Sequence, residues 1–109
     1  LETSGTLEIR ERGDARFAWV AVSPKLFCPP LESSLQRADE LKFIVSDLSE
    51  LGEYARIAES APNAKSVWLH PEWGRSRDRE LLDGLSAFAV DRGGRYRLGW
   101  QMHKCYSVR

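Results

Sequence analysis

A chain of 109 residues, 42% hydrophobic and 29% charged with four tryptophans, has the composition of a soluble globular domain and excludes a disordered one. Its 16 Lys and Arg balance 16 Asp and Glu, so there is no global positive field to gather nucleic acid or an anionic membrane, and neither is an expected partner. No apolar run is long enough to span a bilayer and the first residues lack the basic and apolar regions of a signal peptide, so the expectation is one cytoplasmic domain over residues 1–109.

In chain order, Leu1-Glu2-Thr3-Ser4-Gly5-Thr6 reads as the end of a buried strand and the loop leaving it, so the chain is expected to begin inside a domain. Phe17 to Val22, an apolar run rich in aromatic and branched residues before Pro24, reads as a buried strand. A helical turn is expected at Ser33 to Arg37, and a second strand at Leu41 to Val45. Leu48, Leu51, Ala55 and Ala58 then recur at helical spacing, with Asp47 as N-cap and Glu50 three residues on as its capping-box partner; Pro62-Asn63 ends that helix. Ser66 to Leu69 is the third strand, stopped by Pro71. The stripe Leu81, Leu82, Leu85, Phe88, Ala89 is a helix opened by Ser76 and closed by Gly93-Gly94. A fourth strand runs near Arg95 to Trp100. Strands alternating with helices imply right-handed crossovers and an α/β fold with a parallel sheet.

In such sheets binding residues gather where strands end. Ser23 and Lys25 follow the first full strand, His70 the third, Gln101 and His103 the fourth, and Glu2 and Thr3 the incomplete one, so one rim is expected to collect them. Ser23-Pro24-Lys25 offers a hydroxyl, a rigid turn and a cation to a carboxylate or phosphate, although a strand-ending turn with a solvated lysine has the same sequence. His103 has the hydrogen-bonding capacity to meet a heterocycle. His70, beside Pro71 and Glu72, has no third ligand at metal spacing. Cys28 and Cys105 are too few for a disulfide framework and too far apart for a metal knuckle, and read as reduced thiols. Arg75, Arg77 and Arg79, interleaved with Asp78 and Glu80, read as a salt-bridged helix entrance; Arg92, Arg95 and Arg97 solvate a helix end; Trp73 caps the core or stacks on a planar ligand. No GxGxxG, P-loop or G-x-S-x-G elbow is present, so no catalytic residue is named from motifs.

Glu2-Thr3-Ser4-Gly5-Thr6, Val22-Ser23-Pro24-Lys25, Glu40-Leu41-Lys42-Phe43 and Gln101-Met102-His103-Lys104 through Arg109 together resemble the second half of a 7-carboxy-7-deazaguanine synthase, a radical S-adenosylmethionine enzyme of queuosine and deazapurine biosynthesis. The resemblance covers nearly the whole chain. It implies the C-terminal part of an incomplete (β/α) barrel, with S-adenosylmethionine, a [4Fe-4S] cluster and Mg²⁺ in the complete enzyme and a radical ring contraction of 6-carboxytetrahydropterin as its reaction. It further implies that Ser23 and Lys25 contact S-adenosylmethionine with Glu2 beside them, that His103 contacts the pterin, and that Arg109 closes over the same pocket. His70 stands where many members have Gln, at an expected cofactor contact. The chain has neither the three cluster cysteines nor the Gly-Gly-Glu-Pro stretch of the family, so alone it is expected not to cleave S-adenosylmethionine. The implied partners are a missing N-terminal half or a second copy, recruited through an exposed strand edge. The alternative expectation is a stand-alone nucleoside- or pterin-binding module without redox chemistry.

Overall fold

Residues 1–13 and 15–99 are described by the computed structural model of the chain. Five strands, Glu2–Thr3 (β1), Ala21–Val22 (β2), Glu40–Val45 (β3), Ser66–Pro71 (β4) and Tyr96–Leu98 (β5), form one sheet in that spatial order. Every neighbouring pair is parallel. The helices Glu32–Arg37 (α1), Leu51–Glu59 (α2) and Arg79–Arg92 (α3) supply the last three crossovers. Each strand therefore lies beside its predecessor. The sheet is open, with β1 and β5 at its edges, as in an incomplete (β/α) barrel.

Alternation along the central strands explains why the helices share one face. In β3, Leu41, Phe43 and Val45 are buried while Glu40, Lys42 and Ile44 are half-buried, and in β4 Val67, Leu69 and Pro71 alternate in the same way with Ser66, Trp68 and His70. Register places Leu41 beside Val67 and Phe43 beside Leu69, so the buried set forms a continuous apolar face. Leu35 and Ala38 after β2, Leu51, Tyr54 and Ala58 of α2, and Leu81 and Leu85 of α3 join that face in a single core. Consecutive right-handed crossovers between adjacent strands require this one-sided arrangement. The opposite face carries Glu2, Lys42, Trp68, His70 and Arg97.

The expected elements hold with four differences: the first strand, Glu2–Thr3, lies exposed to half-buried at the sheet edge where a buried strand end was expected, and the other three each have a local cause. Of Phe17 to Val22 only Ala21 and Val22 pair as strand. The backbone N–H of Phe17 donates to Glu11 Oε2 at 3.0 Å and its carbonyl accepts from Arg37 at 2.7 Å, so side chains take the backbone groups a ladder would use, and Phe17 and Trp19 remain 40% and 41% exposed. The capping residue of α3 is Asp78, whose Oδ1 accepts the Leu81 N–H at 3.1 Å, in place of Ser76, which closes the 3-10 turn Trp73–Arg75. The last strand ends at Leu98, and Trp100 lies outside the described residues.

The capping box at Asp47 and Glu50 is present: Asp47 Oδ1 accepts the Ser49 N–H at 2.9 Å and Glu50 Oε1 accepts the Asp47 N–H at 3.1 Å, opening the 3-10 turn Leu48–Glu50 that runs into α2. Among the described residues no helix is long and apolar enough to cross a membrane.

Candidate functional site

The strand ends build the site. Beyond β2, Pro24 is fully buried and turns the chain into Lys25-Leu26-Phe27-Cys28, a tight turn closed by the Cys28 N–H donating to the Lys25 carbonyl at 3.1 Å. Before that turn, the Ser23 N–H donates to the Thr3 carbonyl at 2.8 Å, which holds the ends of β1 and β2 together. Gly5 lets the chain leave β1 here: its φ is 77°, and a Cβ on it would stand 2.8 Å from Pro30 Cβ and 3.0 Å from Val22 Cγ1.

A cleft of about 250 Å³ opens between this turn and the ends of β3 and β4, lined by Pro24, Lys25, Leu26, Phe27, Ile44, Ser46, Glu50, Tyr54 and Glu72. Its polar groups divide into those already engaged and those available. Glu50 Oε1 accepts from the Ser46 and Asp47 N–H groups at 2.8 and 3.1 Å, and the Ser46 hydroxyl donates to the same carboxylate at 3.2 Å. The Tyr54 hydroxyl donates to the Ile44 carbonyl at 3.0 Å, and its ring stacks on Phe43 with centroids 4.4 Å apart. Burial, with the negative charge of Glu50 adding to it, pushes the Tyr54 phenol up to about 12, so it stays a neutral donor. Lys25 and Glu72 have no ion-pair or hydrogen-bond partner for their charged groups among the described residues, leaving one cation and one carboxylate facing an apolar cleft with a Tyr54 floor.

The residues singled out in the sequence occupy two levels of the sheet. Glu2 is level with Glu40 and Ser66 at the beginnings of β3 and β4, and its carboxylate is 2.8 Å from Lys42 Nζ. His70 is level with Ile44, four residues further along and so about 13 Å higher at the usual rise per residue. The structure thus brings Lys25 to the cleft with Ser23 just before it, sets His70 on the open face, and ties Glu2 to Lys42. His70 packs edge-on to Trp68 with ring centroids 6.2 Å apart. The chain leaving β5 passes close above the pair, where a Cβ on Gly99 would stand 2.8 Å from His70 Nε2 and 3.0 Å from Trp68 Cε3. His103, Arg109, Gln101 and Cys105 lie outside the described residues.

Residues of the site and the open face that the sequence did not mark include Phe27, Tyr54, Glu72 and Lys42. Strand alternation carried the signal for Lys42, which interrupts an otherwise apolar run. Phe27 and Tyr54 had none, because a turn phenylalanine and a helix tyrosine each look like ordinary packing residues. Most of the clustered arginines have structural partners: Arg75 bonds Asp78 at 2.6 Å and the Ser46 carbonyl, Arg79 pairs with Asp83 at 3.3 Å, and Arg95 reaches the carbonyls of Ala58, Ala61 and Ala64 at the end of α2, whereas Arg77 is exposed with no ion-pair partner among the described residues, so the expected salt-bridged entrance holds for two of its three arginines. Trp73 is 37% exposed and does not line the cleft.

An iron–sulfur cluster of the kind the resemblance implies needs three thiolates, whereas the chain has two cysteines and Cys28 is an exposed free thiol. The residues present do not fit that group. Among the described residues no three His, Cys, Asp or Glu side chains converge to hold a metal ion. No family model matches the chain, and no curated protein or solved structure matches it either.

Proposed function

We propose that the chain is the C-terminal portion of a 7-carboxy-7-deazaguanine synthase, contributing part of the rim that binds S-adenosylmethionine and a pterin substrate, while the cluster, the Mg²⁺ site and the first strands come from another portion. The observation that carries this reading is the position of Ser23-Pro24-Lys25: it leaves the C-terminal end of a parallel strand and delivers Lys25 to the cleft between β2, β3 and β4. Lys25 and Glu72 present opposite charges there, which complements the carboxylate and ammonium of an amino-acid tail. His70 on the open face, and His103 and Arg109 from the terminal segment, are assigned to the nucleoside and pterin side of the same pocket, with Glu2 held in place by Lys42. An edge strand as short as Glu2–Thr3 is the surface on which the remaining barrel, or a second copy, would pair.

Calorimetric titration with S-adenosylmethionine, repeated on Lys25→Ala, tests the reading. One charge-assisted hydrogen bond at an exposed lysine predicts a loss of about tenfold in affinity. No heat with the unaltered chain, or equal binding by Lys25→Ala, refutes it. A second reading, a nucleoside- or pterin-binding module with no redox chemistry, draws on the two cysteines of the chain, one fewer than a cluster needs. It requires binding at full strength without any added half, and fails if supplying the cluster-bearing portion strengthens the binding.

A further inference from the structure

Phe27 is 89% exposed, the most exposed of the two phenylalanines and two tryptophans that lie largely open to solvent among the described residues. Leaving so large an apolar side chain wet forfeits the burial that drives most phenylalanines inward, and a use that covers the ring would recover it. Its surroundings supply one. It stands at the tip of the Lys25–Cys28 turn, which is closed by a backbone hydrogen bond, anchored by the buried ring of Pro24 and followed by Pro29-Pro30, so the tip is held with little conformational freedom. It borders the same cleft as Leu26, Ile44 and Tyr54, whose ring is fixed by its hydroxyl bond to Ile44 and its stacking on Phe43. The cleft is thus a slot with an apolar wall and a fixed aromatic floor, and Phe27 is the only aromatic at its mouth among the described residues.

We infer that Phe27 is a specificity-determining platform that stacks on the planar heterocycle of the ligand, so that the cleft selects a purine- or pterin-bearing molecule over the amino-acid tail alone. The inference deepens the proposed function and rests on it for the identity of the ligand, but not for the stacking itself. Stacking needs only a flat π-face presented at the right place, and Phe27, unlike Trp73, is placed on the cleft. Lys25 at the other end of the same turn then reads the charged tail, and the two residues divide recognition between ring and charge.

The test is a set of titrations of the full chain with S-adenosylmethionine, adenosine and methionine, each against Phe27→Ala, Phe27→Trp and Lys25→Ala. A stacked base predicts that Phe27→Ala weakens S-adenosylmethionine and adenosine by about tenfold, that Phe27→Trp restores both, and that methionine is unaffected. The side chain is exposed, so amide spectra of the variants should match those of the parent and show that folding is retained. If Lys25→Ala weakens S-adenosylmethionine while Phe27→Ala changes nothing, the functional reading survives and the platform does not. If adenosine binding depends on Phe27 while Lys25→Ala is silent, the platform survives and the Ser-Pro-Lys reading does not. Equal loss of methionine and adenosine on Phe27→Ala overturns the platform, and absence of binding by all three ligands overturns both.

Discussion

Replacing Arg95 by alanine should be among the most damaging single changes to this fold, although the residue is only partly buried. Its guanidinium spans three carbonyls, Ala61 and Ala64 through one nitrogen at 2.6 and 2.9 Å and Ala58 through the other at 2.5 Å. These three residues are 2%, 0% and 3% exposed for Ala58, Ala61 and Ala64, so water does not readily replace the lost donor. The Ala58 and Ala61 carbonyls keep a backbone partner after the substitution, the N–H groups of Ala61 at 3.0 Å and Ala64 at 3.2 Å. The penalty therefore concentrates on the Ala64 carbonyl, at about 1–3 kcal/mol for an orphaned buried acceptor. Two lost secondary bonds and the favourable cation at a helix C-terminus add about 1 kcal/mol more. A total of about 2–4 kcal/mol is a large fraction of the 5–15 kcal/mol typical of a domain, and corresponds to a fall in Tm of about 8–16 °C. Urea unfolding followed by tryptophan fluorescence, with Arg95→Lys alongside, measures it. Lysine lacks the planar fork and should recover less than half of the loss. A loss under about 1 kcal/mol, or full rescue by lysine, would refute the account of Arg95 as the clamp that joins β5 to the end of α2.

Other outcomes follow from the same contacts. Phe43→Ala removes a fully buried ring stacked on Tyr54 and should cost about 3–5 kcal/mol in urea unfolding, while also loosening the cleft floor enough to weaken any ligand there. Gly5→Ala should destabilise by about 1–3 kcal/mol, because φ at 77° and Pro30 Cβ at 2.8 Å disfavour a methyl; Gly5→Asn, which tolerates the backbone but not the contact, separates the two causes. The Arg37 side chain holds the Glu11 carboxyl below its usual range, and for Asp39 the upward push of burial is outweighed by the Val20 N–H and Arg37. Depressed carboxyl values contribute stability that is present above the unfolded pKa, about 4, and is lost as pH falls through the folded values, so the unfolding midpoint should drop below about pH 4. Arg37→Gln should lower stability near neutrality and flatten that acid limb; an unchanged limb would exclude the Glu11–Arg37–Asp39 cluster as its source.

The sequence was most informative where a single local rule decides the structure. Asp47 with Glu50 three residues on marked a helix start, and the bonds at 2.9 and 3.1 Å are those the rule describes. Leu41 to Val45 and Ser66 to Leu69 were legible as strands because β-branched and aromatic residues leave few other choices. Phe17 to Val22 misled because the same composition suits a strand whose backbone pairs with a neighbour and one whose backbone is held by a distant guanidinium; nothing local announces that Glu11 and Arg37 will meet across 26 residues. The site was partly legible for the same reason. Ser23-Pro24-Lys25 was visible as a strand-ending turn, but the level of Glu2 relative to His70 depends on register, which a two-residue strand does not encode.

The two faces of the sheet are the structural basis of the binding function proposed above. Helices cover the face that carries Leu41, Phe43, Val45, Val67 and Leu69, and a fold with only structural demands would cover or polarise the other face completely. Instead that face keeps Ile44, Trp68 and His70 half-buried beside the Lys42–Glu2 pair, a mixture of aromatic surface and compensated charge. Such a mixture is poor at closing a core and suited to a polar, ring-bearing ligand, which needs apolar contact and fixed charges together. The rise from Glu2 to His70 then acquires a meaning. A molecule spanning the paired charges at the strand beginnings and the Lys25–Phe27 turn at the strand ends would contact β1 through β4 at once, and it would stabilise strand pairs that are otherwise held by as few as two residues each. Amide protection of Ala21 and Val22 should accordingly rise on ligand binding more than that of Phe43 or Leu69, which the core already protects. A uniform rise would place the ligand elsewhere.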